Sequence, residues 1–239
     1  MDNNKNIIRV AGRTVIGNGH WSPVQGSAFS DMLNANTALS QEEKERLSEE
    51  TTAILAQCVD PTKTEEVNTG LVIGYVQSGK TLSFTGLTAL ARDNQYRLVV
   101  VLAGTTNNLV QQSHDRLKED LDIDATRDWK SFSTQHQGFQ ESELARVNME
   151  LAKWRRGNER ARTILIVSMK QHQHLDSLSK LLSLSDLTDV PTLIIDDEGD
   201  QAGINTRAKH DEQSTTYSKI LDLRKLFPHH SYLLYTATP

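Results

Sequence analysis

The sequence predicts an α/β fold in which a parallel sheet lies between layers of helices, and three observations predict it. Short apolar runs rich in β-branched residues recur along the chain, among them Leu98–Ala103, Thr163–Val167 and Leu193–Ile195. Their near-continuous apolar character marks strands buried on both faces, as parallel strands are. The runs alternate with stretches of helical pattern, which is the order that βα repeats produce. Finally, Leu71-Val72-Ile73 runs through a glycine-containing turn straight into the helical stretch Leu82–Ala91, so strand, tight loop and helix follow one another without a spacer.

Taken in order, residues 1 to about 38 show no clear period and carry Gly, Asn and Ser in quantity, with one apolar piece at Ile7–Val10. Ser40-Gln41-Glu42-Glu43 has the S-x-x-E form of a capping box, and good helix formers follow to about Ala56. Pro61 stops that helix. Beyond it, strands are expected at 70–74, 98–103, 163–168, 192–196 and 231–236, and helices at about 80–92, 106–120, 141–156, 170–184 and 214–226. Residues 121–140 read as an irregular insertion. The division expected is an N-terminal extension with one helix over 1–62 and the α/β domain over 63–239, with no internal repeat.

At 239 residues the chain is long enough to bury a full core. A formal net charge of −5 does not advertise nucleic-acid binding by the whole chain, so such a role needs a local patch. The single cysteine, Cys58, excludes a disulfide framework and a four-thiolate zinc site and suits a reducing cytoplasm. The N-terminus, Met1-Asp2-Asn3-Asn4-Lys5-Asn6, is polar where a signal peptide would be apolar, and runs such as Leu98–Ala103 are far too short to cross a bilayer. A cytoplasmic, soluble protein with no membrane partner is expected.

The turn after Ile73 is the most informative stretch. Gly74-Tyr75-Val76-Gln77-Ser78-Gly79-Lys80-Thr81 fits G-x-x-x-x-G-K-[ST] without mismatch, and its strand-loop-helix setting is the one a phosphate-binding loop requires. The glycines let successive N–H groups and the helix start point at phosphate oxygens. Lys80 is placed to set a positive charge between the β- and γ-phosphates, and the Thr81 hydroxyl to ligate magnesium. ATP with magnesium is therefore the expected cofactor pair. Such a site needs a carboxylate on a neighbouring strand, and Leu193-Ile194-Ile195 leads into Asp196-Asp197-Glu198-Gly199-Asp200. Four acids within five residues repel one another unless a cation compensates them. Asp197 is assigned to the metal shell and Glu198 to orienting the attacking water. Asp196 competes for the metal role, because sequence does not settle one residue of register.

With both motifs in hand a resemblance becomes specific. Asp197-Glu198-Gly199-Asp200 resembles the Asp-Glu-x-Asp box of superfamily-two helicases, with Gly199 in place of the usual Ala. Tyr235-Thr236-Ala237-Thr238-Pro239 resembles their third motif, and Val101-Leu102-Ala103-Gly104-Thr105 the strand end that touches the nucleic-acid backbone. The wording of Gly74–Thr81, Ile194–Ala202 and Tyr235–Pro239 is closer still to the bacterial Z-one domain family, helicase-like ATPases often labelled endonucleases and found with restriction-modification and phage-defence genes. The resemblance covers about residues 70–239. It implies a RecA-like P-loop sandwich acting as the first motor domain of a DNA helicase or translocase, with DNA and defence-system proteins as partners. It also implies that Thr236 and Thr238, with Asp200 of the box, couple hydrolysis to movement of DNA-binding loops. The family's proteins are much longer, and this sequence ends after the third motif, so the second domain and its arginine are expected to be missing and hydrolysis by this chain to be weak. No nuclease signature, such as a carboxylate followed by Glu-x-Lys on a hairpin, is seen. The alternative is a nucleotide-gated interaction module or endonuclease subunit that recruits or carries a nuclease.

Other residues are weighed beside these. Residues 153–162 place Lys153, Arg155, Arg156, Arg160 and Arg162 around Trp154, a candidate DNA contact, although charge runs at helix ends are more often solvated faces. Gly104, Thr105 and Thr106 are either a backbone-phosphate contact or a helix cap. His172 and His174, two apart on a helix, diverge and make poor metal ligands, as do His229 and His230 before a strand. Cys58 reads as a small buried residue. Gln25 lies upstream of the loop, where some helicases place an adenine-reading glutamine, but its spacing is poor.

Overall fold

The computed structural model describes residues 9–10, 21–73, 80–134, 138–158, 161–197 and 207–236, with backbone alone at 9–10 and 207–214. The strands are β1 (Arg9–Val10), β2 (Val67–Ile73), β3 (Leu98–Ala103), β4 (Trp129–Ser133), β5 (Thr163–Met169), β6 (Thr192–Asp196) and β7 (His230–Thr236). They form one sheet in the order β1-β2-β7-β6-β3-β5-β4. From β2 to β4 every pairing is parallel, and only the two-residue β1 runs antiparallel, against Ile73 and Val72. The helices are α1 (Ser27–Ala35), α2 (Gln41–Ala56), α3 (Lys80–Asp93), α4 (Asn107–Asp120), α5 (Glu141–Arg155), α6 (His172–Leu182) and α7 (Arg207–Arg224).

Successive strand residues point to opposite faces, and here each face has its own core. Val99, Val101, Leu165, Val167, Leu193 and Ile195 pack with residues of α1 to α4, such as Phe29, Leu55, Phe84 and Leu117. Their neighbours Leu98, Val100, Ile164, Ile166 and Ile194 pack with α5 to α7 through Val147, Leu178 and Leu223. The result is an α/β/α sandwich with an all-parallel six-stranded sheet, the fold class expected and one compatible with a RecA-like sandwich.

The helix starts follow local chemistry. Ser40 accepts from the Glu43 amide while Glu43 accepts from the Ser40 amide, the expected capping box. Two elements depart from expectation. α1 lies in a stretch without a cap signal of its own, because its cap comes from across the fold: the Asp93 carboxylate, at the end of α3, accepts from the amides of Gly26, Ala28 and Phe29 at 2.9 to 3.0 Å. β4 lies inside the region read as an irregular insertion. It is an edge strand held only by β5, and its burial comes from two residues three apart, Trp129 and Phe132. Residues 21–62 join the same core as the sheet: Val59 donates its amide to Ser231 Oγ at 2.8 Å and accepts from the Tyr96 hydroxyl.

Candidate functional site

In a parallel sheet the carboxyl ends of the strands lie along one rim, the usual place for ligands. Register fixes which residues share it. Ile73 at the end of β2 pairs with Thr236 at the end of β7, and Asp196 at the end of β6 pairs with Leu234 of β7. β2 and β6 are thus two strand spacings apart, about 10 Å, with Thr236 between them. Lys80 opens α3 on this rim and is half-buried, as is Thr81, whose carbonyl accepts from Thr85 Oγ1 at 2.8 Å. Gly74, Tyr75, Val76, Gln77, Ser78 and Gly79, the body of the loop motif, lie outside the described residues, as do Glu198, Asp200 and Thr238.

Asp196 and Asp197 have different surroundings. The Asp196 side chain is buried, the residue being 3% exposed, and both its oxygens are engaged. Lys170 Nζ reaches Oδ1 at 2.7 Å and the Tyr232 hydroxyl donates to Oδ2. Burial, with the Asp196 charge beside it, pushes the Tyr232 pKa up, so the hydroxyl stays protonated and remains a donor. Asp197 is half-buried. Its amide donates to Leu102 O at 3.0 Å and its carbonyl accepts from Lys170 Nζ at 2.6 Å. Asp196 is thus held on both oxygens by its neighbours, while the backbone of Asp197 is tied to β3 and to Lys170.

Lys170 was not among the residues the motifs picked out. It follows β5 and is 8% exposed, a lysine buried at a strand end because a carboxylate faces it from the strand two places away. Its backbone amide also bonds Ala103 O and Gly104 O at 3.1 Å, and Gln171 Nε2 donates to Thr105 O at 3.2 Å. The turn after β5 therefore ties the end of β3 to the end of β6. The signal for it in the sequence is a lysine three positions beyond the apolar run Ile164–Val167, which calls for a buried acid somewhere in the fold.

The candidates for nucleic-acid contact separate. Gly104, Thr105 and Thr106 stand at the carboxyl end of β3, on the same rim as Lys80, and Thr106 caps α4 by accepting from the Leu109 amide. Lys153, Arg155 and Arg156 lie at the end of α5, which leads into the start of β5 and hence sits toward the opposite rim. Lys153 pairs with Glu150 at 2.8 Å, and Arg155 pairs with Asp189 at 2.5 Å and donates to Asp186 O. Trp154 packs on the core under Arg97, whose guanidinium is 5.6 Å from the ring centre. Of the three cations only Arg156 stays exposed without an ion pair among the described residues. Internal pairing thus takes up two of these three charges.

The remaining candidates have structural partners. Gln25 Nε2 donates to Ser48 Oγ and Thr52 Oγ1, tying the start of α1 to α2. His229 accepts from the Glu66 amide and bonds Asp60 O, and His230 Nδ1 bonds Phe227 O at 2.6 Å. Cys58 is buried, which pushes its thiol up to about 12. Among the described residues, no three His, Cys, Asp or Glu side chains come together as a metal site, and no helix is long and apolar enough to cross a membrane. The chain matches no protein-family model and no curated protein.

Proposed function

We propose that this chain binds ATP with magnesium and hydrolyses it, as the first motor domain of a superfamily-two-like DNA helicase or translocase in a bacterial restriction or anti-phage system. One observation carries the reading. Parallel order and register bring the helix start bearing Lys80 and Thr81 to the same rim as Asp197, two strands apart. The local chemistry fits the cofactor pair: helix-start amides and a lysine for phosphate, a threonine hydroxyl and a half-buried carboxylate for a cation.

In this reading Lys80 and the helix-start amides bind and orient the phosphates, while Thr81 and Asp197 would hold the magnesium, which supplies neutralisation of phosphate charge when bound. Glu198 orients the attacking water. Thr236, between the two halves of the site, senses the nucleotide state together with Thr238, and Asp200 joins them in coupling. Gly104 to Thr106, tied through Gln171 and Lys170 to the acidic strand, convey that state to DNA. Calorimetric titration with ATP and magnesium tests the assignment. Binding by the native chain that is lost in Lys80→Ala is expected; no binding by the native chain, or equal binding by the variant, refutes it.

A further inference from the structure

A second cleft, of about 610 Å³, opens beside the edge of the sheet. It is lined by the second half of α4, the turn after it, the first residues of β4 and the residue before β5, among them His114, Lys118, Asp124, Arg127, Lys130 and Arg162. β4 and β5 begin here, so the cleft lies toward the amino-terminal ends of the strands, away from the rim that carries Lys80, Asp197 and Thr236.

Its charge is one-sided. The one carboxylate in the lining, Asp124, is matched by Lys118 at 2.8 Å. Asp128, just outside, is matched by Arg92, which also covers the Trp129 ring. Arg127 and Arg162 have no ion pair among the described residues, whereas the Lys130 ammonium stands over the Phe132 ring, on the face of the sheet away from α4. Burial lowers the His114 pKa, and its Nε2 is engaged with Ser131 Oγ at 2.9 Å, so it adds no charge near neutral pH. Two unmatched guanidinium groups leave this concavity positive in a chain of formal net charge −5. Held around a concavity with low-dielectric walls, they focus a positive potential that concentrates anions.

Size and chemistry narrow the ligand. The volume falls in the range of small-molecule sites, about 300 to 1,000 Å³. Two guanidinium forks suit tetrahedral oxyanions of high charge. Trp129 is 3% exposed and offers no free face for a base to stack on, so recognition runs through phosphate alone. We propose that this cleft binds a small anion carrying two or more phosphate groups, at a site separate from the Lys80 rim.

The probe is inorganic tripolyphosphate, titrated calorimetrically into the Lys80→Ala chain so that the phosphate loop makes no contribution. One site per chain is expected, weakened about tenfold or more when Arg127→Gln and Arg162→Gln are added, since each removes a charge-assisted bond. Both arginines are at the surface, and an unchanged thermal midpoint shows that the fold is intact; should it shift, the single variants Arg127→Gln and Arg162→Gln are titrated in its place. No binding, or binding indifferent to both substitutions, overturns the proposal. A short single-stranded oligonucleotide that displaces tripolyphosphate and binds more tightly also overturns it, by making the cleft a backbone groove. Loss of ATP binding in Lys80→Ala is read separately, so failure of either reading leaves the other standing.

Discussion

Asp196 and Lys170 form a buried ion pair, and such a pair is costly to break from one side because the survivor stays desolvated. In Lys170→Met the carboxylate would keep only the Tyr232 hydroxyl of the partners described above. A loss of about 3 to 5 kcal/mol is expected, read as a shift of the urea midpoint at unchanged slope. Pairing Lys170→Met with Asp196→Leu should recover much of it, because neither charge is then left alone. If the double variant is no more stable than the single, the pair does not hold the strand ends together. Cys58 makes a second test at this scale. Its thiol is buried and raised to about 12, so in the folded chain at pH 8 it should resist iodoacetamide, and react only at the rate of global unfolding. Labelling on mixing, without denaturant, would place it elsewhere.

At the scale of elements, the contacts that cross the chain are the ones the sequence hides. The strands of the sheet centre, β3, β5 and β6, are legible because burial on both faces makes most of each run apolar. α2 is legible because its cap lies beside it, at Ser40 and Glu43. α1 is not, because its cap is Asp93, more than sixty positions away. β4 is not, because an edge strand with two buried residues has too little pattern to separate from a loop. The candidate site divides in the same way: Lys80 and Asp197 announce themselves through local motifs, whereas Lys170 has meaning only once β5 and β6 are known to flank β3. Asp93→Ala should therefore unseat α1 despite lying in α3. Three amides lose their acceptor, for an expected cost of about 1 to 3 kcal/mol, with Asp93→Asn recovering part. Hydrogen exchange confined to residues 26–35 would reveal the loosened helix; unchanged protection there would show that packing of Phe29 and Met32 holds it without the cap. Gly86 marks the packing side of the same contact. A Cβ there would lie 3.2 Å from Met32 Cε and 3.3 Å from Thr51 Cγ2, so Gly86→Leu, which adds far more than a methyl, should cost about 1 to 3 kcal/mol by overpacking.

For the whole molecule, the pH response follows from three histidines folded in their neutral form. Burial lowers the pKa values of His114, His229 and His230 below the ordinary value. A base whose folded pKa is depressed stabilises the fold above its unfolded pKa, about 6.5, and that contribution is lost as pH falls below it. The geometry agrees for His229, where Nδ1 accepts from the Glu66 amide at 3.2 Å and would lose that bond on taking a proton. Asp93, Asp120 and Glu50 work in the other direction, since burial raises their pKa values and protonation relieves them, but they act nearer the ordinary carboxylate range, about 4. Between about pH 7.5 and 5.5 the histidines should dominate, and the thermal midpoint should fall. Each histidine contributes at most about 1.4 kcal/mol per pH unit once the pH is below its unfolded value. His229→Gln should flatten the slope by up to one histidine's share while lowering the midpoint at pH 7.5, because the Glu66 and Asp60 bonds are disturbed. A midpoint that rises on acidification over this range, or a slope indifferent to His229→Gln, would mean that the imidazoles are not held neutral where β7 begins.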